Sequence, residues 1–324
     1  LKIVKLTYNY NWPIFRQTPN NSQIWGNYKF VIDNNLKECD YWVIYSDHNL
    51  LPEKVLCNPN NIIFISGEGK TTSPVYGQKF LDQFALIVTV NREIRHKNII
   101  FKQTGLPWFI NKTFDDLNQN IIPEKKKLIS VISSNKTITE GHRKRLAFVK
   151  KLKIHFGDNL DIFGRGFLEI EDKWEALADY KYSIAIENDY CLDYVTEKFF
   201  DCLYSNTFSF YYGCPNLETY ISPNSFARID IDNLTESIKV IENTIEDSTY
   251  EKNDSTLLKE KLKSINEHQF FPFIAGILDN IKVNASKKEI ILNNNIHSEY
   301  LNFRGIVLNK LRSTYRRIIK FLKF

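Results

Sequence analysis

Short apolar runs bounded by Asn, Asp, Gly or Pro recur through the first third of the chain, at residues 3–6, 41–45, 61–66 and 85–90. Runs of this length without polar alternation read as parallel strands covered on both faces. The pattern breaks at 117–127, which is polar, holds Pro123 and closes on Glu124-Lys125-Lys126-Lys127; this predicts a linker near 115–127. A second series follows, with strands at 128–133, 160–163, 182–187 and 207–212 and helices at 139–156, 172–180, 196–205 and 217–221. Within 139–156 the stripe Leu146, Val149, Leu152 and Phe156 repeats at helical spacing behind a Thr139-Glu140 start. From about 233 the chain reads as helical and highly charged, with a break at Asn253-Asp254. Two β/α series joined by a linker predict an α/β fold of two Rossmann-like, doubly wound domains facing a cleft. Ligands are then expected just beyond the carboxyl ends of the strands. The expected domains are 1–120 and 128–285, followed by a helical tail over 286–324.

Composition narrows the class. With 43% hydrophobic and 25% charged residues, the 324-residue chain is no disordered segment, collagen or coiled-coil rod. Its five cysteines include no C-x-x-C pair, so neither a disulfide framework nor a zinc site is expected, and the reading is a reducing compartment. Residues 1–10 read as a strand rather than a signal peptide, and no run approaches the ~20 apolar residues of a membrane span. The expectation is a cytoplasmic protein. The formal charge of +5 is unevenly placed. In 303–324, Val307, Leu308, Leu311, Tyr315, Ile318, Ile319 and Leu322 recur at three- and four-residue spacing. Between them stand Arg304, Lys310, Arg312, Arg316, Arg317, Lys320 and Lys323, with no acid. Subtracting these seven charges leaves −2 on residues 1–303. The basicity therefore belongs to one amphipathic helix, read as a peripheral anchor on the anionic inner face of a membrane, where each Lys or Arg contributes roughly 1 kcal/mol. A terminal helix packed on its own protein is the alternative. No basic patch spreads over the body, so no nucleic-acid partner is expected.

Several motifs fall short. Ser66-Gly67-Glu68-Gly69-Lys70-Thr71 ends like a phosphate-binding P-loop, but Phe64 stands where that pattern needs glycine. Gly164-Arg165-Gly166 begins like a dinucleotide fingerprint, with Glu169 at the third glycine position. Asp230-Ile231-Asp232 has the spacing of a metal-binding pair, yet the alternation of Ile229 and Ile231 with the acids predicts a half-exposed strand. The six histidines show no paired spacing and read as surface or core groups.

The stretch 182–215 carries more chemistry. A strand end delivers Glu187-Asn188, and a helix start delivers Thr196, Glu197 and Lys198 after Tyr194. A helix N-terminus attracts anions, Thr196 suits its N-cap, Lys198 adds a full charge, and Glu197 can accept from a ribose diol. Tyr194 can stack on, or donate to, the same ligand. This reads either as a nucleoside diphosphate site or as a capping box with solvated charges.

Residues 182–213, with Glu187-Asn188 and Tyr194-Val195-Thr196-Glu197-Lys198, resemble the signature of bacterial-type family 10 glycosyltransferases, the α-1,3/α-1,4-fucosyltransferases. The similarity extends through Ser134-Asn135, Arg145 and Phe148, and Asp161-Ile162-Phe163-Gly164-Arg165; it covers most of the second domain and the first only loosely. The resemblance implies a GT-B fold, with an acceptor-side N-terminal domain and a donor-binding C-terminal one. It implies transfer of L-fucose from GDP-β-L-fucose, with inversion, to a hydroxyl of a GlcNAc- or glucose-containing glycan. The expected linkage is α-1,3, and a lipopolysaccharide O-chain is the expected kind of acceptor. No cofactor is required, and a divalent metal enters at most as a stimulator. Arg145 and Lys198 would take the pyrophosphate and Glu197 the ribose hydroxyls. Asn188 and Tyr194 would lie close to the donor, and Arg165 would add a contact. Glu68, after the strand at 61–66, would be the base that deprotonates the acceptor. Trp108 would line the acceptor or the domain interface, or simply fill the core. The rival readings are the same fold with another nucleotide sugar, and a non-enzymatic membrane-attached module that binds nucleotide or glycan.

Overall fold

The structure is a computed structural model and describes residues 1–8, 12–46, 53–70, 76–137, 140–281 and 286–292. Strands β1 (Lys2–Thr7), β2 (Ile24–Trp25), β3 (Tyr28–Val31) and β4 (Tyr41–Tyr45) begin the first sheet, and β5 (Glu53–Cys57) stands outside it. β6 (Ile62–Ile65), β7 (Leu86–Thr89) and β8 (Ile99–Phe101) complete it in the order β2-β3-β1-β4-β6-β7-β8. Every pairing is parallel except the β2/β3 hairpin. All residues of β4 and β6 are buried, which is why they appear as unbroken apolar runs.

The second sheet contains β9 (Lys127–Ile132), β10 (Leu160–Phe163), β11 (Tyr180–Ile186), β12 (Phe208–Tyr212) and β13 (Phe226–Arg228), all parallel, in the order β10-β9-β11-β12-β13. The helices are α1 (Gln78–Leu81), α2 (Phe114–Leu117), α3 (Glu140–Phe156), α4 (Glu197–Tyr204), α5 (Leu234–Glu246), α6 (Thr249–Glu267) and α7 (Phe270–Leu278). α3 buries Val149 and Leu152 of its expected stripe, leaves Leu146 and Phe156 half-buried and adds Phe148, and α4 buries Phe199, Phe200 and Leu203.

Tertiary packing moves the expected boundaries. Trp108, Ile110, Phe114 and Leu117 belong to the core of the second sheet, so the chain changes sides near 105 rather than at the linker. α2 stands inside that linker, closed by a reciprocal capping box between Thr113 and Asp116. α7 packs on the first sheet, with Phe270, Phe271, Ile274 and Leu278 against residues such as Val4, Leu6 and Tyr28. The last described strand, β14 (Lys288–Leu292), pairs antiparallel with β5. The first body therefore reclaims residues 270–292, and the expected helical tail opens with a strand. The seven basic residues from Arg304 to Lys323 lie outside the described residues. No helix among the described residues is long and apolar enough to cross a membrane.

Other elements differ from the pattern for local reasons. The helix expected at 172–180 shrinks to one tight turn, Lys173–Ala176, because Tyr180 already pairs with Lys127 as β11 begins. The helix expected at 217–221 is likewise a single turn, Leu217–Thr219. Asn253-Asp254 lies within α6, where the Asn253 amide donates to the Thr249 carbonyl; the break falls at Ser248, whose φ is +52°. Asp230 is not in a strand: its carboxylate accepts the Asp232 N–H at 2.9 Å in a turn after β13.

Candidate active site

The strand order of the second sheet reverses between β9 and β11, and a cavity of about 400 Å³ opens there beyond the carboxyl ends. This is where a doubly wound sheet binds its ligand. Ser133 and Ser134 enter from the end of β9, Gly164 and Arg165 from β10, and Asn188 from β11. α3 supplies His142 and Arg145, α4 supplies Glu197, Lys198 and Asp201, and the turn before β11 supplies Lys173. Gly164 has φ +109°, and a Cβ there would stand 2.2 Å from the Ser133 carbonyl oxygen, so only glycine lets these two strand ends meet. Lys136, Arg145, Arg165, Lys173 and Lys198 line the cavity against two carboxylates, Glu197 and Asp201.

Arg145 is buried on the inner face of α3. Its Nη1 donates to Asn188 Oδ1 at 2.7 Å and its Nη2 reaches Ser134 Oγ at 3.5 Å, while the buried Nε has no acceptor among the described residues. Ser133 Oγ, also buried, has no partner among them either. Burial lowers the Arg145 guanidinium from its usual value, opposed by Glu187 and Glu197. Burial and the neighbouring cations Arg145, Lys136 and Lys198 also lower His142.

The start of α4 is tied from below. Glu187 is buried at the end of β11, and its carboxylate accepts the Thr196 N–H at 2.8 Å and the Thr196 hydroxyl at 2.7 Å. Thr196 caps α4 by accepting the Lys198 N–H. Lys198 Nζ lies 3.4 Å from Glu187 and 3.2 Å from Glu197. Burial lowers Lys198, but the two carboxylates more than offset this and hold it well above the usual lysine value. Lys173 pairs with Asp201 at 2.8 Å and stands 3.7 Å from Glu197. Asp201 also accepts the Phe109 N–H at 2.9 Å, joining α4 to the segment that crosses between the bodies.

Glu68 stands elsewhere, half-buried on the loop after β6. Tyr194 is buried and does not line the cavity. Burial raises the Tyr194 phenol, and the group feels Lys198, Glu187 and Glu68 together. The structure thus gathers Arg145, Arg165, Asn188, Glu197 and Lys198 around one cavity, and leaves Glu68 outside its lining.

Trp108 corrects its expected role. It has no exposed surface, its indole N–H donates to the Lys112 carbonyl, and it packs edge-on against Tyr204 in the second core. An acceptor sugar has no face of it to stack on. Lys173, Asp201 and His142 line the cavity without having been singled out. Lys173 reaches Asp201 across 28 positions of sequence, a distance at which no local spacing signals a pair.

Residues 122–252 match the sequence model of glycosyltransferase family 10 (fucosyltransferase), C-terminal part. An α-(1,3)-fucosyltransferase FucT of Helicobacter pylori is 36% identical over 73 residues, 22% of this chain and 15% of that protein. The α-(1,3)-fucosyltransferase fut-1 of Caenorhabditis elegans is 31% identical over 128 residues, 37% of this chain and 28% of that protein. The chain therefore matches less than a third of the length of these relatives. A crystal structure of an α1,3-fucosyltransferase with GDP aligns with 87% of this chain and 91% of its own, at 17% identity and a TM-score of 0.49. The stretch from 122 to 252 holds β9 through α5, and with them every residue that lines the cavity. Residues 122–252 thus carry the sequence pattern of the C-terminal part of glycosyltransferase family 10, the fucosyltransferase family.

Proposed function

We propose that this chain is an inverting glycosyltransferase that moves L-fucose from GDP-β-L-fucose to a hydroxyl of a GlcNAc- or glucose-containing glycan. The observation that carries the reading is Arg145: a buried guanidinium whose Nε has no partner among the described residues, in the same cavity at the strand reversal as a Ser133 hydroxyl that likewise has none. Buried donors of this kind are costly unless a ligand accepts from them, and a pyrophosphate does. Lys198, at the start of α4, extends the same anion-binding site. Glu197, charged at neutral pH, accepts from the ribose hydroxyls.

The chemistry follows from charge. As the sugar bond breaks, negative charge grows on the leaving diphosphate, and preset cations stabilise it; loss of one such group typically costs ~3 kcal/mol. Inversion needs a base on the opposite side of the sugar from the leaving group. Glu68, on the first body and outside the cavity lining, accepts the proton of the attacking hydroxyl. The two parallel sheets support a GT-B arrangement with donor and acceptor on opposite walls. A lipopolysaccharide O-chain acceptor, an α-1,3 linkage and attachment to the inner membrane face through 303–324 complete the proposal; the tail's seven cations support the last of these.

GDP is expected to raise the melting temperature and UDP to leave it unchanged; equal shifts would remove the donor assignment. Glu68→Gln should keep the GDP shift and abolish transfer of radiolabelled fucose to a panel of disaccharides. An active Glu68→Gln enzyme would show that the base lies elsewhere.

A further inference from the structure

Of the loops by which the first body meets the donor loop, the reaction as described uses only Glu68. The loop after β7 carries Arg92, whose guanidinium reaches the second body and pairs with the Asp193 carboxylate. The same guanidinium lies 4.6 Å over the Phe101 ring, which aims it from behind. Asp193 is buried and has φ +66°, a conformation that a residue with a side chain keeps only when its surroundings hold it. Its N–H donates to Asn216 Oδ1 at 2.8 Å, and its Oδ1 accepts from Asn216 Nδ2 at 2.8 Å and from the Tyr220 hydroxyl at 2.6 Å. The Tyr220 hydroxyl in turn accepts the Gln103 N–H at 3.3 Å, just before the chain changes sides. Among the described residues, Arg92 supplies the one partner of Asp193 Oδ2 that comes from the first body.

The Glu68 loop is fastened to the same place. Glu93, next to Arg92, pairs with Lys70 at 2.8 Å, and the Lys70 N–H lies against the Cys191 thiol. At Gly69 a Cβ would stand 2.9 Å from Asp189 Oδ2 and 3.1 Å from Tyr194 Cζ, so the loop touches the donor loop with its bare backbone. Asp193 is followed directly by Tyr194, and three residues after that the chain enters α4.

We propose that Arg92 is a positioning residue for sugar transfer: its ion pair with Asp193 locks the loops that carry Glu68 onto the loop that opens α4, and so sets the base against the donor. The inference rests on the function proposed above. It makes Arg92 necessary for the chemical step and dispensable for GDP, because neither Arg92 nor its loop lines the cavity described.

The experiment compares Arg92→Ala, Arg92→Lys and Asp193→Asn with the wild-type chain, measuring GDP affinity by calorimetry and transfer kinetics on one disaccharide acceptor. Arg92→Ala is expected to lower kcat roughly 10- to 100-fold, the effect of a small misplacement of reacting groups. GDP affinity and the donor KM should stay within about twofold, because the groups at the cavity are unchanged. Arg92→Lys should recover part of the loss by restoring the charge. Arg92 is half-exposed, so its variants fold even if Asp193→Asn does not. Unchanged kcat in Arg92→Ala overturns the proposal, as does a loss in kcat matched by an equal loss of GDP affinity or of folded protein. A wild-type chain that neither binds GDP nor transfers sugar overturns the functional reading and the inference with it.

Discussion

Lys198 already has two carboxylates beside it, Glu187 at 3.4 Å and Glu197 at 3.2 Å, and Lys173 stands between Glu197 and Asp201. Three acids and two lysines sum to −1, so this cluster alone would repel a diphosphate. Arg145, with Lys136 and Arg165 on the other wall, reverses the sign. The carboxylates keep Lys198 charged and aimed; Arg145 makes the cavity attractive. Burial pushes the Glu197 carboxyl up, but Lys198 and Lys173 overcome it and take the group down to about 2. A carboxyl depressed in the folded state stabilises the protein above its unfolded value and loses that stability as pH falls toward the folded one. Urea melts are therefore expected to show stability falling between roughly pH 4.5 and 2, with a ceiling of ~3 kcal/mol from Glu197. Glu187, raised chiefly by burial, has the opposite sign and acts above the ordinary glutamate value, where its contribution is lost as pH rises, so it leaves this acid limb unchanged. Glu197→Gln should flatten this limb; equal slopes in both proteins would show that Glu197 carries none of it. The Glu187-to-Lys198 stretch was legible as a local pattern of residue types, and Arg145 only through the family resemblance. Lys173 and Arg92 were not, because their partners are 28 and 101 positions away.

At the scale of elements, the strands that are buried on both faces announced themselves as apolar runs, and α3 as a stripe. Short edge elements did not: β2 has two residues and β8 has three, too few to show a period. The expected helix at 172–180 failed because a turn and the first residues of a strand together mimic helical spacing. The glycine turn after β10, set aside as a dinucleotide fingerprint, has a physical role in the site. Gly164 lets Arg165 and Ser133 converge on the cavity. Gly164→Ala combines a positive φ with a steric clash against backbone, and is expected to destabilise the protein by about 2 kcal/mol or more. It should weaken GDP binding in parallel, since both strand ends must shift. Urea melts and calorimetry check both; an unaltered protein would mean the turn relaxes freely.

For the whole molecule, the two sheets are joined by more than a linker. Residues 108–117 pack into the second core, and α7 and β14 return to the first body, so each body is completed by chain from beyond its expected border. Deleting 303–324 should release the protein from anionic vesicles in co-sedimentation while leaving turnover on a soluble acceptor intact. Vesicle binding that survives the deletion would refute the membrane anchor. The sequence by itself determined the class of fold, the two β/α series, the family signature and the type of charge at the donor site. Each of these is written in residues close together in the chain, where periodicity and capping act. Tertiary structure alone decided where the bodies divide, that Trp108 is core, that Tyr194 is buried outside the cavity lining, and that Arg92 meets Asp193. Those outcomes depend on burial and on ion pairs between distant segments, which exist only once the sheets have packed.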